Sequence, residues 1–304
     1  MRTLSSSLSA LALLLTLGFA WTGVAPSIAA AQAPRERTLF VSAVDDKGEP
    51  VEGLGPDAFV IRENGQRREV LRVSRATEPI DIALLVDNSA AATDEITFIR
   101  DAVAKFVADM AANNRVALIG LADRPTILVE YTNDPAKLTA GAARLFAMPG
   151  SGMTLLDAVV ETSQGLEKRE GARAVIVPVV TDGTEFTNRY SKDVVAALKR
   201  AGAAFHAVTM GTFLHSDQDH GIRERSFLLD EGPRATGGQR ITLLAPNALT
   251  TWMQRLAREL SSQYKVVYGR PDSLYASDDV AITSARPGVT MRGTPARGET
   301  GATK

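Results

Sequence analysis

The sequence predicts a doubly wound α/β domain with a mostly parallel sheet, joined to a small antiparallel β subdomain. From Ile80 onward strand-like and helix-like segments alternate, the pattern of βα units around a parallel sheet. Residues 38–78 instead hold only short β-like runs with no helical period. A third observation fixes the layering. "IDIALLVD", residues 80–87, is nearly continuously apolar, as a strand covered on both faces must be.

Taken in order, the chain opens with Arg2, a serine run, the apolar stretch "ALALLLTLGFAW" and Ala-x-Ala patterns at Ala29/Ala31 and Ala31/Ala33. This is the layout of a secretory signal peptide, with cleavage expected after Ala31 because a cut after Ala33 would abut Pro34. An uncleaved anchor is the alternative, but the apolar run is shorter than the ~20 residues that span a bilayer. No later segment reads as a span, so the mature protein is expected to be secreted or periplasmic.

The runs "TLFVSAV", "AFVIRE" and "REVLRVS" follow, broken by "DDKGEP" and by "ENGQ", whose Asn-Gly favours a hairpin. Past Asp87, Ile96, Ile99, Val103, Phe106, Val107 and Met110 form one helical stripe. Further strands are expected at "RVALIGLAD", "ILVEYT", "AVIVPVVTD" and "AAFHAVTMG", with helices over 135–147, 155–168 and 191–201. Pro178 is awkward in a central strand, because it cannot donate to the ladder. Residues 212–239 read as the longest irregular stretch. A last helix carries Leu249, Trp252, Met253, Leu256 and Leu260, and "YKVVYG" follows as a strand. The expected organisation is a signal peptide over 1–31, a small β subdomain over 38–78, the α/β domain over 79–270, a C-terminal β segment over 271–292 and a disordered tail over 293–304.

Composition narrows the function. With a net charge of -1 and a pI near 6.4, no global field favours nucleic acid or an anionic membrane. The chain has no Cys, so any metal must use oxygen or His ligands. In open α/β sheets ligands sit beyond the carboxyl ends of the strands. Oxygen-bearing side chains fall there three times: Asp87 and Ser89 after the first strand, Thr154 before a helix, and Asp182 at the end of "VIVPVVTD". Two carboxylates and two hydroxyls suit a hard divalent cation such as Mg2+, with a coordination position left for a partner's carboxylate. Each also has a structural reading. Thr154 with Asp157 fits a helix-capping box, Asp182-Gly183 is a turn signal, and Ser89 fits a backbone-bonded loop hydroxyl. Asp87 resists such a reading, because a buried carboxylate is costly without a partner.

On these residues the chain resembles the von Willebrand factor type A domain, in the bacterial secreted group with a short β unit ahead of it. "LLVDNSAAA" is similar to that family's Asp-x-Ser-x-Ser, "GSGMTLLDAV" to its Gly-x-Thr-x-Leu-x-Asp-Ala, and "VVTDGTE" to its strand-ending Thr-Asp-Gly. "RATGGQ" and "ELSSQYKVVYGRP" resemble later segments of the group. The resemblance implies a Rossmann-like fold and a metal-ion-dependent adhesion site at Asp87, Ser89, Thr154 and Asp182. In it Ser89 and Thr154 ligate Mg2+ (or Mn2+ or Ca2+) directly, and the two aspartates act mostly through water. Where the family has its second Ser this chain has Ala91, so one direct ligand is absent.

The function expected is recognition of a partner protein, one that offers an acidic residue to the ion. A metal-independent scaffold is the alternative, and a Mg-dependent phosphoryl-transfer or hydrolytic enzyme the third reading. Gly-x-Ser-x-Gly is absent and a Cys nucleophile is impossible, so no catalytic residue is assigned. His215, Asp217, Asp219 and His220 crowd one polar segment and read as solvated loop rather than a second metal site.

Overall fold

The computed structural model describes residues 35–211, 218–270 and 280–298. The expected signal peptide, His215 and Asp217, and residues 299–304 of the expected tail lie outside the described residues.

The central sheet begins with β5 (Ile80–Val86), flanked by β6 (Arg115–Gly120) and β8 (Arg173–Val180). Its order is β11-β10-β8-β5-β6-β7, with β10 at Ala207–Met210, β11 at Arg240–Leu243 and β7 at Thr126–Thr132. All pairs on this path are parallel except β6 with the edge strand β7. The expected doubly wound sheet is therefore present. The chain leaves β5 toward β6 and later returns to β8 on its other side, so the topological switch lies at the carboxyl end of β5.

Helices cover both faces. Ile82, Leu84 and Val86 of β5 pack with α1 (Ile96–Met110), α2 (Pro135–Ala143) and α6 (Ala248–Ser261). Ala83 and Leu85 face α3 (Leu155–Glu167), α4 (Ser191–Ala201) and α5 (His220–Thr236). This period-two division on a strand buried throughout explains the unbroken apolar run. Each large aliphatic or aromatic side chain buried there contributes about 1.5–3 kcal/mol.

α5 corrects the expected irregular stretch at 212–239. Its buried positions are Gly221, Glu224, Arg225, Leu228, Leu229, Gly232, Pro233 and Thr236, a regular helical stripe made largely of residues that do not register as apolar. Asp219 caps the helix by accepting from Ile222 N at 2.9 Å.

Pro178 also finds its explanation. Val179 O accepts from Asp87 N and Ile176 O from His206 N, so Pro178, alternating with Val179, turns its missing donor toward the His206 side. There the neighbouring strand is interrupted between β9 (Ala203–Phe205) and β10, and β8 loses no full ladder rung.

The antiparallel part draws on both halves of the chain. One sheet has the order β14-β1-β12-β4, from β14 (Thr290–Pro295), β1 (Arg35–Val44), β12 (Tyr264–Arg270) and β4 (Val70–Arg75). A second is β13-β2-β3, from β13 (Val280–Ser284), β2 (Phe59–Glu63) and β3 (Gln66–Arg68), with the expected Asn64-Gly65 hairpin at positive φ. β14 continues three residues past position 292, where the tail was expected to begin, held by Thr294 Oγ1 donating to Thr236 O at 2.8 Å. The buried Arg173 guanidinium joins this part to the α/β layers, donating to Glu78 O, Leu260 O and Gln263 Oε1 at 2.7–2.8 Å.

Candidate functional site

β5 delivers Asp87 to the switch point. Its amide closes the last rung on Val179 O at 2.9 Å, and its carboxylate is fully buried. One carboxylate oxygen accepts from Ser89 N at 2.9 Å, and the other from Thr181 N at 3.1 Å and Thr181 Oγ1 at 2.5 Å. These donors meet the cost of burying the charge. Asn88 fixes the turn, because its Oδ1 accepts from Leu121 N and Ala122 N at 2.9 and 3.0 Å.

Ser89, next on the turn, is buried, and its Oγ has no hydrogen-bond partner among the described residues. The loop-hydroxyl reading therefore does not hold for Ser89. Ala91 lies in the short 3-10 turn that follows, and a Cβ placed on Gly183 would stand 2.9 Å from the Ala91 methyl and 3.4 Å from Ser89 Oγ. The 181–185 loop thus passes directly against Ser89 and Ala91.

Thr154 enters on a strand-like link, with isolated bridges from Met153 to Ala122 and Glu185. It precedes α3 but its hydroxyl does not cap the helix. Thr154 Oγ1 donates to Leu121 O at 2.9 Å, while Glu185 accepts from Leu155 N and Leu156 N at 3.2 and 3.3 Å. Asp157, the other half of the expected capping box, pairs with Arg189 at 2.6 Å. Burial pushes the Glu185 carboxyl up to about 8, against the pull of those two amides and Arg225.

Asp182 is no simple turn residue. Its Oδ1 accepts from Arg225 Nη2 at 3.2 Å, and the same guanidinium donates to Gly183 O. The Arg225 side chain is fully buried, whereas that of Asp182 is 26% exposed. Burial lowers the pKa of Arg225, and Glu185, Asp182 and Asp87 each raise it, so it faces three carboxyl groups.

The expected residues Asp87, Ser89, Thr154 and Asp182 thus gather around one rim. Thr181, Glu185 and Arg225 were missed. The first two stand inside the motif "VVTDGTE", and Arg225 lies on the helix whose stripe was not legible. Toward a divalent ion the donors divide. Ser89 Oγ is an oxygen with nothing yet to bind, and Asp87 supplies charge beside it. Asp182 is engaged by a cation of the chain's own, and Ala91 offers a methyl where an oxygen would ligate. Among the described residues no three carboxylate or imidazole groups converge on a metal, so hydroxyls would have to complete any coordination.

A family model of the von Willebrand factor type A domain matches residues 82–185, from β5 to Glu185. That span includes the three loops that form the rim. Among solved structures the chain is similar to a von Willebrand factor type A protein from Catenulispora acidiphila, with 9% identity, 88% of this chain and 74% of that one covered, and a TM-score of 0.50. It is also similar to proximal thread matrix protein 1 of the mussel byssus, in a form with a zinc-occupied MIDAS motif, with 14% identity, coverage of 64% and 49%, and a TM-score of 0.50. The chain spans about half the length of that mussel protein. No curated protein matches it. At these identities the structures share the type A fold, and the chemistry of the rim rests on its own residues.

Proposed function

We propose that the protein is a recognition module of the von Willebrand factor type A kind, secreted or periplasmic, which docks a partner protein on the carboxyl edge of its sheet. The observation that carries this reading is a ring of exposed apolar side chains around the rim. Of the large apolar side chains exposed among the described residues, all but Phe227 lie at that edge: Phe98, Ile127, Phe146, Met148, Phe186, Tyr190 and Leu244. Phe146 and Phe186 are 64% and 54% exposed, and Phe186 lies against Gly152, where a Cβ would meet its ring at 2.4 Å. Such concentration on one side, around a polar centre, supports a protein interface more than scattered surface does. The signal-peptide layout supports the location, and no described helix is long and apolar enough to cross a membrane. The reading is non-enzymatic.

In the cation-dependent form, Asp87, Ser89, Thr154 and Asp182 hold Mg2+ (or Mn2+ or Ca2+), and a partner carboxylate completes the coordination. The unpartnered Ser89 hydroxyl supports it, and so does the zinc-bearing motif of the mussel protein. In the cation-free form the same rim binds without an ion, which Ala91 and the Asp182–Arg225 pair favour. Immobilised mature protein tests both against an extracytoplasmic fraction of its source. The partner is expected on the natural protein and absent from a Phe146→Ser/Phe186→Ser variant, and equal capture by the two would overturn docking at the rim. Loss of the partner in chelator and on Asp87→Ala would select the cation-dependent form, and retention in both the cation-free one.

A further inference from the structure

We infer that Arg225 is the cation this chain supplies to its own rim, and that it holds down the affinity of the site for divalent ions by occupying Asp182. The inference takes its location from the rim reading above, but its test measures ion binding with no partner present, so the two fail separately.

The geometry begins with close packing. The start of α5 lies so near the 183–186 loop that a Cβ on Gly221 would fall 2.1 Å from Glu185 O. One turn later, Arg225 therefore emerges directly beneath that loop. Its guanidinium donates to Gly183 O and, at 3.2 Å, to Asp182 Oδ1. Ser89 and Ala91 press on the same loop, within 3.4 and 2.9 Å of a Cβ built on Gly183. The loop is thus wedged between a buried cation and the turn that would ligate a metal.

Three physical facts turn this arrangement into competition. Arg does not deprotonate in proteins, so the positive charge stays. Its side chain has no exposed surface, so water and salt screen it little. A divalent ion reaching both Ser89 Oγ and Asp182 would meet a fixed like charge already hydrogen-bonded to one of its ligands. The Ala91 methyl removes an oxygen that would help offset that repulsion. The charge of Asp182 is met from inside the fold, and the rim is held in shape with no ion.

Calorimetric titration of Mn2+ into chelator-stripped protein tests this. Arg225→Met is expected to bind Mn2+ at least tenfold more tightly than the natural sequence, while Arg225→Lys, which keeps the charge, stays within threefold of it. Unchanged or weaker binding by Arg225→Met overturns the inference, as does a gain by Arg225→Lys equal to that of Arg225→Met. Should Arg225→Met fail to fold in chelator, refolding in millimolar Mn2+ decides: recovery shows an ion replacing the guanidinium, and no recovery overturns the proposal.

Discussion

His206 shows what a single residue does in this core. It is fully buried between β9 and β10, and neither ring nitrogen has a hydrogen-bond partner among the described residues. Burial lowers its pKa from 6.5 to about 4, with Glu259 pulling it up and Arg292 pushing it down. The unfolded chain therefore binds a proton in this window before the folded one does. The stability tied to neutral His206 is complete above pH 6.5 and is lost as pH falls toward 4, by about 3 kcal/mol in all. Urea titrations at a series of pH values should show this slope in the natural protein and its loss in the curve of His206→Leu. Parallel curves for the two proteins would show that His206 is not the titrating group. The interior place of His206 was legible from its apolar neighbours in "AAFHAVTM". That both ring nitrogens go unbonded was not, because their surroundings come from other strands and helices.

At the scale of elements, glycine positions decide how closely layers approach. Gly237 ends α5 at φ 76°, and a Cβ there would stand 2.1 Å from Gly293 O on β14. Gly237→Ala combines left-handed strain with a backbone clash and should cost at least about 2 kcal/mol. Gly165, inside α3 with nothing within 4 Å of its added Cβ, gives the contrast: Gly165→Ala should stabilise by up to about 1 kcal/mol. Denaturation midpoints of the two variants moving in the same direction would contradict this account. The apolar stripes seen in the sequence formed α1 and α6 on the residues that carried them, and α3 and α4 formed within the ranges expected for them. α5 was hidden because tertiary partners, not hydrophobicity, make Arg225, Glu224 and Pro233 interior residues. Glu224, for example, accepts from Ser191 N at 2.8 Å across to α4.

For the whole molecule, the two ends of the described chain hold each other. β14 pairs with β1 along Leu39–Val44, and Arg297 beyond it reaches the buried Asp81 at the base of β5 at 3.2 Å. Arg115 and Arg169 share that carboxylate at 2.6 and 3.6 Å. Deleting residues 290–304 strips the edge of β1 and takes one of three guanidinium groups from Asp81. The truncated protein should melt at least 10 °C lower and self-associate through the bared edge, as size-exclusion chromatography would report. A monomer of unchanged melting temperature would mean that the end of the chain is not structural.

The sequence by itself determined the doubly wound sheet, the hairpin at Asn64-Gly65, and the gathering of Asp87, Ser89, Thr154 and Asp182 at one sheet edge. These depend on periodicity, on turn residues and on the rule that parallel strands present their carboxyl ends together. Only the tertiary structure decided what those oxygens touch. Asp87 is satisfied by Thr181, Glu185 rather than Thr154 serves the start of α3, and Asp182 is claimed by Arg225 from 43 residues away. Such pairings follow from how closely α5 packs under a loop, a distance set by the Gly221 and Gly183 backbones across layers and carried by no local pattern in the chain.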